Sequence, residues 1–186
     1  MKGNRRQFLK YAGLSGMATS LPFAAAFSSG RVEAAVEGFV IDVEEQEQYY
    51  IAGRQAPVRI IVDKSNRGLD NISLCMEEIV PGDGIPVHKH LNEDEVVYIQ
   101  KGSGIFTLGD KEYSVKEGSV AFVPKGGWHG LRNTGTEDLH MLFSFSPAGF
   151  EGYFREIGVP KCVAWKDKTA EEFAAINQKY GIVYKR

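Results

Sequence analysis

Cysteine is scarce in this chain: two residues, Cys75 and Cys162, among 186. So few thiols exclude a small disulfide scaffold and a thiolate-rich structural zinc site, and the sequence leaves open whether the two pair. An excess of charge is missing as well. The 22 Lys and Arg face 24 Asp and Glu, a formal net charge of -2, so there is no basic footprint for nucleic acid. No apolar run is long and clean enough to span a bilayer as a mature helix, so no stable membrane anchor is expected. Histidine is also sparse, with four in total. Three of them fall between Gly82 and Asn133. The length suits one domain, and eleven Phe and eight Tyr provide bulky material for its core and pocket.

The stretch that gathers the histidines reads PGDGIPVHKHLNEDEVVYIQKG and, after a short polar hairpin, GSVAFVPKGGWHGLRN. His88 and His90 are two apart, a spacing that directs both imidazoles to one face of a strand. If Glu95 opens the next strand its carboxylate faces the same interior, and His129 completes the set from the second half. Burying four such groups without a cation is costly, so the pattern predicts a divalent transition metal held by His88, His90, Glu95 and His129. Imidazole and carboxylate donors suit Fe, Mn, Ni, Cu or Zn.

Gly82, His88, His90, Glu95 and Gly102, followed by Gly118, Pro124, Gly126, His129 and Asn133, resemble the two motifs of the cupin family with no position missed. The resemblance implies an all-β fold, a small antiparallel barrel of jelly-roll type over residues 36–146. Residues 147–186 are expected to form a C-terminal helical extension. Asn4-Arg5-Arg6-Gln7-Phe8-Leu9-Lys10 and the weakly apolar run after it resemble a twin-arginine signal peptide over residues 1–30, with cleavage near 26 or 34. That likeness implies a bacterial protein recognised by the twin-arginine export machinery and delivered to the periplasm or the exterior. Such export carries folded proteins, so the metal enters before the chain meets Cu or Zn outside, which favours Fe(II) or Mn(II).

Along the chain, Gly38–Asp42 has the character of a short edge strand, and Glu44–Tyr50 that of a helical turn or an arm. Arg59–Val62 and Ile72–Val80 read as strands on either side of a turn-rich segment. With Glu95 inward, Val97 and Ile99 share its side, while Val96 and Tyr98 face out. In Leu139–Ser146 the apolar set Leu139, Met141, Phe143 and Phe145 faces in, so His140 faces away. Val97, Ile99, Met141, Phe143 and Phe145 are the expected pocket wall. Outward apolar residues such as Val96, Tyr98 and Leu142 fit pairing of two copies in a homodimer.

Phe150, Tyr153, Phe154 and Ile157 follow helical spacing as far as Gly158, and Thr169–Lys179 forms a second helical pattern ending at Gly181. The run Pro147–Phe154 resembles the extension of quercetin-dioxygenase-like single-domain cupins. It implies a cap near the barrel mouth, with Tyr153 and Phe154 touching a small-molecule substrate. The likeness implies a metal-dependent dioxygenase or oxidoreductase acting on a small enol, phenol or diketone, with Glu95 as the base. An isomerase, a decarboxylase, an oxalate-type enzyme, or a non-catalytic metal or ligand binder would use the same ligands. A basic residue in the pocket would favour a carboxylate substrate, but Lys89 and Arg132 face outward by parity and Lys125 lies in a turn.

Overall fold

Side chains alternate between buried and exposed along most strands of the chain, and this period of two closes it into a pair of antiparallel sheets. The computed structural model describes residues 37–52 and 54–185. The export signal expected at residues 1–30, with its cleavage positions, lies outside them. The strands are β1 (Glu47–Tyr50), β2 (Val58–Val62), β3 (Leu74–Ile79), β4 (Gly84–His90), β5 (Asp94–Lys101) and β6 (Ser103–Leu108). They continue with β7 (Lys111–Lys116), β8 (Val120–Val123), β9 (His129–Arg132), β10 (Leu139–Ser146), β11 (Val159–Pro160) and β12 (Ile182–Tyr184). The described residues also hold a 3-10 turn at Val43–Glu45 and the α-helices α1 (Lys64–Arg67), α2 (Glu151–Ile157) and α3 (Ala170–Tyr180). The seven-stranded sheet runs β11-β1-β2-β3-β10-β5-β8 and the five-stranded sheet β12-β4-β9-β6-β7. This is the expected all-β jelly-roll barrel with a C-terminal extension.

The core lies between the sheets. Cys75 and Ile79 on β3, Val97 and Ile99 on β5, and Leu139, Met141, Phe143 and Phe145 on β10 all point inward. They meet Phe106 and Leu131 from the other sheet. Fully burying each large side chain of this kind contributes roughly 1.5–3 kcal/mol. Parity holds on the outer face too: Val96 and Tyr98 are exposed, and His140 is half-buried in an outer groove beside Arg59, Met76 and Glu78. Asn133 closes the second motif, donating from Nδ2 to the carbonyls of Ile79 at 2.7 Å and Glu137 at 2.8 Å.

Local signals set the helices. Thr169 caps α3 and Glu172 reaches back to the Thr169 N–H, while Gly181 takes the left-handed conformation (φ 64) that ends it. Three readings of the sequence need correction. Gly38–Asp42 forms no strand, and Val40 is exposed; the edge position is filled by β11, which pairs with β1. The turn-rich segment after β2 contains α1, nucleated by the Asp63 side chain accepting from the Asn66 N–H at 2.9 Å. The extension is more than helical, since β12 returns to the barrel and pairs with β4, Ile182 opposite His90 and Tyr184 opposite His88. Cys75 is buried and Cys162 exposed, and both are free thiols.

Candidate metal centre and its pocket

Both sheets contribute to the cluster. His88 and His90 sit on β4 and His129 opens β9, so the five-stranded sheet supplies three imidazoles; Glu95 reaches across from β5 of the other sheet. The β4–β9 register places His88 opposite His129. The turn before β9 is held against β4 by the Gly126 N–H, which donates to the His90 carbonyl at 2.6 Å. Gly126 has φ +79, a conformation that a side-chain-bearing residue adopts only with strain. One ligand atom from each of the four residues lies within 4.8 Å of the others, and all four residues are buried.

The hydrogen bonding around these atoms prepares them for a cation. His88 Nδ1 lies 2.8 Å from the Pro86 carbonyl and His129 Nδ1 lies 3.1 Å from that of Gly127. Each Nδ1–H therefore donates outward, which leaves the Nε2 lone pair aimed at the cluster. His88 Nε2 and His90 Nε2 are 3.1 Å apart, with room for one shared proton. Glu95 Oε2 is 3.6 Å from His90 Nε2 and 2.7 Å from His129 Nε2, close enough for ion pairing. Even so, Glu95 Oε2, His129 Nε2 and His90 Nδ1 are buried without an aligned hydrogen-bond partner. Three imidazoles and one carboxylate with orphaned polar atoms fit a divalent transition metal, and lack the thiolates of a finger-type zinc site.

Electrostatics separates the three rings. Burial, reinforced by neighbouring imidazoles, lowers the pKa of His88 to about 3 and that of His90 to about 2, so both stay neutral and able to ligate. Burial opposes protonation of His129 too, but the Glu95 carboxylate outweighs it and the pKa is raised.

The cluster opens into a cavity of about 100 Å³. Met141, Phe143 and Phe145 line it from the barrel wall, Phe150 from the residue before α2, and Tyr153, Phe154 and Ile157 from α2 itself. Val97 lines a smaller adjoining cavity with Phe106 and His129. Ile99 does not line either space: opposite Met141 on β5, it lies in the core beyond both.

Sequence reasoning missed several lining residues. Arg54, from the loop before β2, places its guanidinium in the wall, with Nη1 2.6 Å from Glu77 Oε1. This is a basic residue in the pocket that the sequence reading, which weighs Lys89, Arg132 and Lys125, does not consider. Lys89 and Arg132 do face away, Lys89 over the Trp128 ring and Arg132 paired with Glu112. Glu77 was detectable from its parity with Cys75 and Ile79, and Tyr184 from the β-prone run Ile182–Tyr184 after Gly181. Arg54 carries no periodic signal.

Comparison with known proteins agrees with this architecture. Residues 75–145 match the family model described as a cupin domain. An oxalate-binding protein of Thermotoga maritima is 38% identical over 65 residues, covering 35% of this chain and 54% of that protein's length. The chain thus spans only about half of that relative. A crystal structure from Thermotoga maritima described as a predicted oxalate decarboxylase superposes with a TM-score of 0.50 at 27% identity, covering 59% of this chain and 99% of that one. KdgF from Halomonas sp. superposes with a TM-score of 0.54 over 62% of this chain and 99% of its own, and at 16% identity it speaks to the fold alone. Residues 75–145 are therefore similar to a cupin domain, and they carry the histidine and glutamate cluster between the two sheets of the barrel.

Proposed function

We propose that this chain is an exported metal-dependent oxidoreductase of dioxygenase type, acting on a small enol, phenol or diketone-like substrate. The observation that carries the reading is the placement of the four-ligand cluster at the base of a cavity walled by Met141, Phe143, Phe145, Phe150 and Phe154. His88, His90, Glu95 and His129 would hold the metal, with Fe(II) or Mn(II) favoured on the export argument. When bound, such a metal supplies a Lewis-acid centre with positions beyond its four protein ligands and, for Fe or Mn, one-electron chemistry.

The chain's own groups do the rest. Glu95 Oε2, unpaired in hydrogen-bond terms, is placed to take the acidic proton of an enol or phenol. The Pro86 and Gly127 carbonyls fix the His88 and His129 rings, and the phenylalanine wall keeps water from the deprotonated substrate. In the overall reaction both atoms of O₂ enter the cleaved substrate, so no external reductant is required. Anaerobic loading with Fe(II) or Mn(II), then oxygen uptake over a panel of flavonols, phenols and diketones, tests this. Uptake of one O₂ per substrate consumed supports it, and tight metal binding without turnover on any member overturns it in favour of a non-catalytic binder.

A second reading, metal-dependent conversion of a carboxylate such as oxalate, is favoured by the 38% identity to an oxalate-binding protein. Release of CO₂ from oxalate without oxygen uptake distinguishes it.

A further inference from the structure

The cavity has a second polar end. Arg54 Nη1 pairs with Glu77 Oε1 at 2.6 Å, and Nη2 donates to the Gly84 carbonyl at 3.2 Å. Glu77 faces inward on β3 with its side chain 4% exposed. Removing such a pair from water costs about as much as its attraction returns, and apolar residues would fill the same wall with less penalty. A pair kept in a cavity wall on those terms points to a ligand.

Sheet register gives its distance from the cluster. On the seven-stranded sheet Glu77 lies opposite Met141 and Glu95 opposite Phe145, further along the same strand β10. On the five-stranded sheet Arg54 contacts Gly84, and the ligand His88 lies on the same strand β4. Each pair is four positions apart, so both sheets separate the two polar ends by roughly 13 Å of strand, which the side chains then shorten. Met141, Phe143 and Ile85 line the space between them. Arg54 also stands at the junction with an outer groove of about 440 Å³ that shares Tyr153, Ile157 and Tyr184 with the inner cavity and continues to Trp165 and Phe173. Asp83, another carboxylate on that groove, accepts from the Gly84 N–H at 2.7 Å.

Resting on the metal-centred reading above, we propose that Arg54 sets specificity by binding the carboxylate of an amphipathic monocarboxylic acid. The acid's oxygen-bearing far end lies at His88, His90, Glu95 and His129, and its apolar middle crosses the wall between. The guanidinium has five N–H donors; with one given to Glu77 and one to Gly84 among the described residues, Nε–H and one hydrogen on each Nη are left for the acid. Glu77 is a positioning residue that holds the fork in the wall. A two-carbon diacid is too short to engage both ends, so the same geometry ranks such diacids below longer acids.

Calorimetric titration of the Mn(II)-loaded full chain with 4-hydroxycinnamate and with its methyl ester tests the assignment. The acid is expected to bind about tenfold or more tightly than the ester, the size of a charge-assisted hydrogen bond. Arg54→Gln should erase that preference, bringing the acid's affinity down to that of the ester. Because that change strands Glu77, the double variant Arg54→Gln with Glu77→Gln, which removes both charges, must show the same loss. Equal affinity for acid and ester in the wild type, no binding of either, or a preference that survives in both variants overturns the proposal. Failure of Mn(II) to bind stoichiometrically, with the acid preference intact in metal-free protein, removes the metal-centred reading and leaves the role of Arg54 standing.

Discussion

His88 and His129 each donate Nδ1–H to a backbone carbonyl two residues earlier, Pro86 on β4 and Gly127 in the turn before β9, so the adjoining backbone fixes each tautomer. Replacing either by Ala removes one of four ligands. It should lower metal affinity by more than the roughly 10–100-fold typical of outer-shell partners, read as metal content after dialysis, with the circular dichroism spectrum retained. Protonation makes a separate prediction. The folded-state pKa values of His88 and His90, about 3 and about 2, lie below their ordinary 6.5. The unfolded chain therefore binds protons there that the folded chain refuses, and stability that is complete above pH 6.5 is lost as pH falls toward 3. His129, raised by Glu95, acts in the opposite sense, and its contribution fades as pH rises through the raised pKa. Thermal midpoints of metal-free protein between pH 7.5 and 4 should fall, and the fall should be shallower in a His88→Gln, His90→Gln variant. The ligands themselves were legible because period-two spacing and motif glycines fix both their face and their distance. Arg54 was not, since a loop side chain reaches its place through the tertiary fold alone.

Two elements hold the pocket in shape. Arg155 on α2 donates from Nε and Nη2 to Glu47 at 2.9 and 2.7 Å and from Nη1 to Asp63 at 2.5 Å, joining the helix to β1 and to the end of β2. The pairing also lowers the Glu47 pKa, chiefly through the Arg155 hydrogen bond, so that support is present above pH 4.5 and is lost as pH falls further. Arg155→Met would leave the buried Asp63 carboxylate without its charge partner, and is expected to cost about 3 kcal/mol in chemical denaturation. The other element is β12, which runs beside both ligands of β4 and places the Tyr184 hydroxyl 3.0 Å from that of Tyr153. Truncation after Gly181 should reduce metal affinity about tenfold, on the scale of losing supporting contacts, as measured by competition with a chelating dye. The helical spacing of Phe150 to Ile157 made α2 readable. β12 was hidden by its brevity, three residues immediately after a helix stop.

At the scale of the whole molecule, the cluster joins two layers: three imidazoles from one sheet face a carboxylate from the other. A cation there stabilises the folded state by mass action. Stripping it with a chelator should lower the unfolding free energy by roughly 3–4 kcal/mol when free metal had stood at 100 to 1,000 times its dissociation constant. The barrel was legible as a class because the two histidine-bearing motifs between Gly82 and Asn133 resemble those of cupins, and that resemblance implies the fold. The outer groove was not, because Trp165 and Arg54 come from segments without a periodic pattern and meet Phe173 of α3 only once the extension folds back. Because β12 hydrogen-bonds directly to the strand bearing His88 and His90, a disturbance introduced behind Tyr184 has only one strand to cross before it meets those two rings.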